Sequence, residues 1–117
     1  MNVLVAGGSG FVGRHVVSAL STAGHAVRVM TRSPSDGRDD GAEDVFGDVD
    51  DESTLVRALD GVDVAYYLVH SLERADFVER DAKGAEAFAR QAAASGVGRV
   101  VYLGGLGDDD DELSAHL

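Results

Sequence analysis

Residues 1–34 read MNVLVAGGSGFVGRHVVSALSTAGHAVRVMTRSP, and this stretch decides the fold. Val3 to Ala6 is a short apolar run with the character of a strand buried in a parallel sheet. It passes directly into Gly7-Gly8-Ser9-Gly10-Phe11-Val12-Gly13. An amphipathic helical pattern follows, and then a second apolar run from Ala26 to Met30. Strand, glycine-rich turn, helix and strand within about thirty residues is the context that a dinucleotide-binding turn requires. The start of a helix exposes unpaired N–H groups and a partial positive charge, so a pyrophosphate can settle there if no side chain shields the backbone. Gly7, Gly10 and Gly13 are spaced G-x-x-G-x-x-G, one residue longer between the first two glycines than G-x-G-x-x-G. Gly7 allows the tight turn out of the strand, Gly10 lets phosphates approach, and Gly13 lets the helix lie close to the strand. A turn that merely packs tightly would also use glycines. This one begins five residues after the strand starts, with a helix and a second strand in order behind it.

Further along, strands and helices alternate. The patterns predict strands at about 2–6, 26–30, 44–46, 62–69 and 99–103, and helices at about 11–23, 52–59 and 73–95. In the first helix Val12, Val16, Val17 and Leu20 are expected on one face, with Gly24 as the C-terminal cap. Asp50 or Asp51 is expected to cap the second helix. Val78, Ala82, Ala85, Phe88, Ala89 and Ala92 form the stripe of the third. Such alternation implies an α/β fold of three layers, a doubly wound parallel sheet of about five strands with helices on both faces. Right-handed crossovers give the strand order 3-2-1-4-5 and a ligand beyond the carboxyl ends of strands one and four. That edge gathers Gly7 to Gly13, Thr31 to Ser33, Asp48-Val49 and Leu68 to Ser71.

The run VLVAGGSGFVGRHVV resembles the extended and atypical short-chain dehydrogenase/reductases, including the epimerase-like and NmrA-like branches. FGDVDDESTLVRALDGVD, AYYLVHSL and ERDAKGAEAFARQAAASGVGRVVYLGGLG extend the resemblance over the 117 residues, which correspond to about the first half of such a protein. The family implies a Rossmann fold, here stopping before strand six, with residues 1–117 as one NAD(P)-binding domain lacking the substrate-binding part. It also implies that Asp48 bonds the adenine amino group with Val49 close by, and that Leu68, Val69 and His70 line the nicotinamide ribose. Asp48 could instead cap the following helix, and His70 could be an ordinary loop histidine.

Cofactor preference turns on the end of strand two. An acid about 20 residues beyond the glycines would bond the ribose hydroxyls of NAD. Met30, Thr31, Arg32 and Ser33 stand there instead. An acid repels a 2′-phosphate, whereas Arg pairs with it through charge-assisted bonds. Arg32 and Ser33, with Arg14 as a further candidate, therefore favour NADP, while NAD stays possible. The expected contact set is Gly7, Ser9, Gly10, Phe11, Val12, Gly13, Arg32, Ser33, Asp48, Val49, Leu68, Val69 and His70.

The chemistry is less legible. Classical members pair Tyr with Lys four residues on, and none of Tyr66, Tyr67 and Tyr102 has that partner. Gly104 and Gly105 stand where the family's Ser or Thr falls, and Ala87 where relatives often carry Asn. No catalytic residue is assigned. Two functions follow: the cofactor-binding part of an NADP-dependent oxidoreductase or nucleotide-sugar-epimerase-like enzyme, or a non-catalytic NADP(H)-binding regulatory or structural module.

Composition narrows the setting. Asp and Glu number 21 against 10 for Lys and Arg, a net charge of −11, which disfavours nucleic acid and anionic membranes as partners. Either a basic partner or a solvated, high-salt-adapted surface explains it; the second predicts weaker folding at low salt, where screening is poor. With no Cys there is neither disulfide nor thiolate site. His15, His25, His70 and His116 lack metal-site spacing, and no metal is expected. No apolar run approaches a membrane span or a signal peptide, so a cytoplasmic chain is expected. Val100, Val101 and Leu103 would lie on an open sheet edge, so a homo-oligomer is expected. The substrate is not readable.

Overall fold

The computed structural model describes residues 1–7, 11–34, 41–68 and 75–102, with the backbone alone for 75–82. The element order is β1 (Asn2–Ala6), α1 (Phe11–Thr22), β2 (Ala26–Thr31), β3 (Glu43–Phe46), α2 (Ser53–Ala58), β4 (Val64–Tyr67), α3 (Ala75–Ala94) and β5 (Arg99–Tyr102). All strand pairs are parallel and the sheet order is β3-β2-β1-β4-β5, as the sequence predicts.

Alternation along β1 builds two cores. Leu4 and Ala6 face α2 and α3, in a cluster with Met30, Leu55, Ala58, Leu59, Ala65, Tyr67, Ala87 and Phe88. Val3 and Val5 face the other way, with Val17 of α1 and Val27 and Val29 of β2. A period of two on a strand covered on both faces makes the whole run apolar, hence the unbroken VLVA.

Glycines close the helices. Gly24 and Gly96 adopt φ of 94° and 80°, and the next residue's N–H reaches back to the carbonyl five earlier: His25 to Leu20 and Val97 to Ala92. That pairing satisfies carbonyls the helix end would otherwise leave open. Arg28 of β2 serves the end of α2, donating from Nη1 to the carbonyls of Ala58 at 2.8 Å and Asp60 at 2.9 Å, where a cation also suits the helix dipole.

Three expectations need correction. Val12 is 40% exposed and lies off the buried line of α1, which runs through Gly13 and Val17. Val16 and Leu20, partly buried, pack against the core around Val17 as expected; Val12, in the first turn and about 40° round from Val16, leaves that face. β4 is shorter than expected: Val62 and Asp63 precede it and Leu68 follows it, while Val69 lies outside the described residues, as does Leu103 beyond β5. The cap of α2 is Glu52, in helical conformation and with no side-chain capping bond, rather than Asp50 or Asp51. The chain is already turning there. Asp51 N–H bonds the Asp48 carbonyl, and the Thr54 hydroxyl bonds the carbonyls of Asp51 and Asp48 at 2.7 and 3.1 Å. The expected caps bond elsewhere: Asp48 Oδ1 accepts the Asp50 N–H, and Asp51 Oδ1 accepts the Ser53 hydroxyl.

Glu52 is thereby left to join α2 to α3. Its carboxylate accepts two bonds from the Arg90 guanidinium, at 2.8 and 2.9 Å, and one from Gln91 Nε2 at 2.6 Å. The Arg90 bonds, with help from Gln91, hold its pKa down at about 2, against an ordinary 4.5. A depressed carboxyl adds stability above its unfolded pKa and loses it as pH falls through the folded one. The stability difference between wild type and Glu52→Gln should therefore be flat above about pH 5. It should shrink between pH 4.5 and about 2, as measured by urea unfolding across that range.

Candidate functional site

The register of the parallel strands decides what can meet. Ala6 is aligned with Met30 and with Tyr67, and Thr31 with Phe46. The residues that follow these positions emerge at one end of the sheet: Gly7 after β1, Arg32 and Ser33 after β2, Gly47 to Val49 after β3, and Leu68 after β4. The described members of the expected contact set thus share one edge, at the point where the strand order reverses between β1 and β4. Ser9, Gly10, Val69 and His70 lie outside the described residues.

Local geometry at this edge follows from residue type. Gly7 has φ 90°, which other residues rarely adopt, and so turns the chain out of the buried β1. Phe11, Val12 and Gly13 form the first turn of α1, whose N–H groups have no intrahelical partner. Gly13 is buried, while Phe11 is 80% exposed and its ring meets His15 edge-on at 4.6 Å. Leu68 is buried and donates its N–H to the Ala6 carbonyl at 2.8 Å, carrying the ladder one residue past β4. Arg32 and Ser33 are exposed, and the Ser33 N–H bonds Thr31 Oγ1 at 3.1 Å.

The loop after β3 is the most braced part of the edge. Gly47 N–H bonds the Thr31 carbonyl at 3.1 Å, and Asp48 N–H bonds Thr54 Oγ1 at 2.9 Å. Asp48 Oδ1 is engaged by the Asp50 N–H, while Oδ2 takes part in none of the described hydrogen bonds. Asp48 is half-buried and acts as the hub of its own turn rather than as a helix cap.

The tyrosines belong to the cores. Tyr67 is buried, with its ring 4.8 Å from Phe88 and 5.7 Å from Tyr102, and Tyr66 packs on the α1 side. Burial pushes the Tyr102 hydroxyl pKa up. Among the described residues no group of three His, Asp or Glu could hold a metal ion, and no helix is long and apolar enough to cross a membrane.

Two features escape the sequence reading. One is a shallow hollow of about 460 Å³ lined by Phe11, Arg14, His15 and Ser18, all from α1. The other is the contact between α3 and the loop after β3 at Gly84. A Cβ there would lie 2.9 Å from Val49 Cγ2 and 3.1 Å from the Tyr67 hydroxyl. The available signal was a glycine inside a helix of 20 residues, where it is costly unless packing demands it.

Comparison with known proteins agrees with this geometry. A family model described as NAD(P)H-binding matches residues 7–116. An isoflavone reductase homolog from Zea mays is 36% identical over 85 residues, covering 63% of this chain and 28% of that protein. The (4-alkanoyl-5-oxo-2,5-dihydrofuran-3-yl)methyl phosphate reductase of Streptomyces griseus is 39% identical over 103 residues, covering 86% of this chain and 33% of that protein. A short-chain dehydrogenase/reductase superfamily protein from Agrobacterium tumefaciens, solved with bound NAD, superposes with TM-score 0.70 at 34% identity, covering 87% of this chain and 32% of that one. The chain thus spans about a third or less of each of these relatives. With the glycine turn, the strand order and the matched residues in agreement, the chain belongs to the NAD(P)H-binding family and has oxidoreductases among its homologues.

Proposed function

We propose that residues 1–117 are one dinucleotide-binding domain, the cofactor-binding part of an NADP-dependent oxidoreductase or nucleotide-sugar-epimerase-like enzyme. One observation carries this reading: a positive-φ glycine, the open start of α1 and the residues following β2, β3 and β4 share one sheet edge, with Arg32 where an NAD site has an acid. The pyrophosphate would lie on the glycine turn and the N–H groups of Phe11, Val12 and Gly13. Arg32 and Ser33 would take the 2′-phosphate, Asp48 and Val49 the adenine, and Leu68, Val69 and His70 the nicotinamide ribose. Ser9 and Gly10, outside the described residues, would add to the pyrophosphate contacts, and Arg14 is a further phosphate candidate. The nicotinamide, when bound, supplies a hydride donor or acceptor. The residues of this chain would bind and orient it.

A second reading has its own support. Tyr66, Tyr67 and Tyr102 all pack in the cores, and none has the Lys four residues on that proton transfer would use. A non-catalytic NADP(H)-binding regulatory or structural module would look the same over these residues. Calorimetric titration with NADPH and NADH tests the shared claim. Molar salt is the suitable medium, since we read the −11 surface as a solvated face adapted to high salt. Binding of NADPH over NADH is expected; no binding of either overturns both readings. Hydride turnover with a carbonyl substrate then separates enzyme from module.

A cytoplasmic setting, consistent with the cysteine-free composition, belongs to the same proposal. So does self-association. β5 is the outer strand of the described sheet, with Val100 and Val101 half-buried, and an open parallel edge invites another strand. Light scattering in molar salt should show a dimer or larger species, and a monodisperse monomer would count against edge pairing.

A further inference from the structure

We infer that Gly84 of α3 is a positioning residue for the adenine-side loop, setting where Val49 stands and so how well an adenine nucleotide is held. The inference rests on the reading of Asp48 and Val49 as the adenine contacts, and deepens it. Glycine in the middle of a long helix has no conformational reason to be there, since alanine forms helix better. Gly84 is not at a helix end and its φ is not in the left-handed region. The reason for it is space. A Cβ would come within 2.9 Å of Val49 Cγ2 and 3.3 Å of Val49 Cβ, with the Tyr67 hydroxyl also at 3.1 Å.

Neither neighbour can yield easily. Tyr67 is buried and wedged between Phe88 and Tyr102. Val49 is stiff about its one side-chain torsion, and its Cβ, 3.3 Å from the added methyl, moves only with the backbone. That backbone belongs to the turn held by the bonds between Asp48, Asp50, Asp51 and Thr54. Displacing Val49 therefore displaces Asp48, one residue before it. The same loop is tied again to α3 by Glu52 with Arg90 and Gln91, two turns beyond Gly84. With its far end fastened, the loop cannot swing away as a body. A push at Val49 is taken up at Asp48.

The test compares wild type, Gly84→Ala, Val49→Ala and the double variant. Each is titrated with NADPH and with adenosine 2′,5′-bisphosphate, which carries only the adenine side. Each is also melted without ligand. Gly84→Ala should bind both ligands about tenfold more weakly. The double variant should recover most of that loss, because Val49→Ala removes the Cγ2 that the new methyl meets; such non-additivity is the mark of two residues in contact. A purely structural role would show coupling in the melts but unchanged affinity for the bisphosphate, and would overturn the inference while leaving the binding reading intact. Additive losses would overturn the contact itself. A wild type that binds NADPH but not the bisphosphate would overturn the adenine placement and this inference together.

Discussion

Phe88→Ala should destabilise the fold by about 3–5 kcal/mol, the cost of removing a large aromatic ring from a packed core. Phe88 is fully buried on α3, where that helix meets β1, β4 and α2, and its ring leans on Tyr67 at 4.8 Å. Alanine would leave a cavity whose lining includes Leu4, Leu55 and Leu59, none of which has measurable exposure. Those side chains are held by the sheet and by α2, so collapse into the void would be partial and the cavity cost would remain. Domains of this size have only about 5–15 kcal/mol in total, so at least about a fifth of the stability goes. Thermal unfolding in molar salt should fall by about 12–20 °C. Val56→Ala, at a site 54% exposed on α2, should change stability by no more than about 0.5 kcal/mol. A loss below about 1 kcal/mol for Phe88→Ala would mean that the two-layer packing of α3 on the sheet is not formed.

The sheet was legible in the sequence because its strands are covered on both faces. Burial on both sides leaves little polar alternation, so VLVA and VAYY stand out as apolar runs, and AVRVM does so but for Arg28. Strand order follows from one motif, since the glycine turn marks β1 and parallel crossovers have a fixed hand. Element ends were less legible, and the physical reason differs from case to case. At α2 three acids compete for a cap, and none takes it, because Thr54 and the Asp48 turn already satisfy the loop. At α1 Val16, Val17 and Leu20 meet the core as the helical period predicts, while Val12, in the first turn, stays exposed.

The candidate site divides in the same way. Residues chosen for backbone freedom or for place on the strand ends, such as Gly7, Asp48 and Leu68, fall on one edge because register depends only on the hydrophobic pattern. What the sequence hides is contact between elements far apart in the chain. Gly84 meets Val49 across 35 positions, and Arg90 meets Glu52 across 38. No local period encodes such pairs. A glycine against helix propensity is the trace that one of them leaves.

Arg32 is where the cofactor proposal is most exposed to test. It follows β2 directly, at the edge shared with Gly7 and the start of α1, and its side chain is exposed rather than buried in a structural ion pair. The basic side chain with a packing duty in β2 is Arg28, which holds the end of α2 and approaches Glu43 at 3.8 Å. Replacing Arg32 should therefore leave folding nearly unchanged, within about 0.5 kcal/mol. Binding should respond strongly. A charge-assisted bond to a phosphate is worth about 1.5–3 kcal/mol, or about ten- to a hundredfold in affinity. Arg32→Ala should weaken NADPH by about tenfold and leave NADH almost untouched, since NADH has no 2′-phosphate to lose. Arg32→Asp adds repulsion of the phosphate and an acceptor for the ribose hydroxyls, so it should weaken NADPH by about a hundredfold and move the preference toward NADH. Salt separates charge from shape, because the NADPH loss should shrink as ionic strength rises while any NADH gain, made by hydrogen bonds, persists. Equal losses for the two nucleotides would place Arg32 on the pyrophosphate instead, and no loss for either would leave it a surface residue and return the preference to an open choice between NADP and NAD.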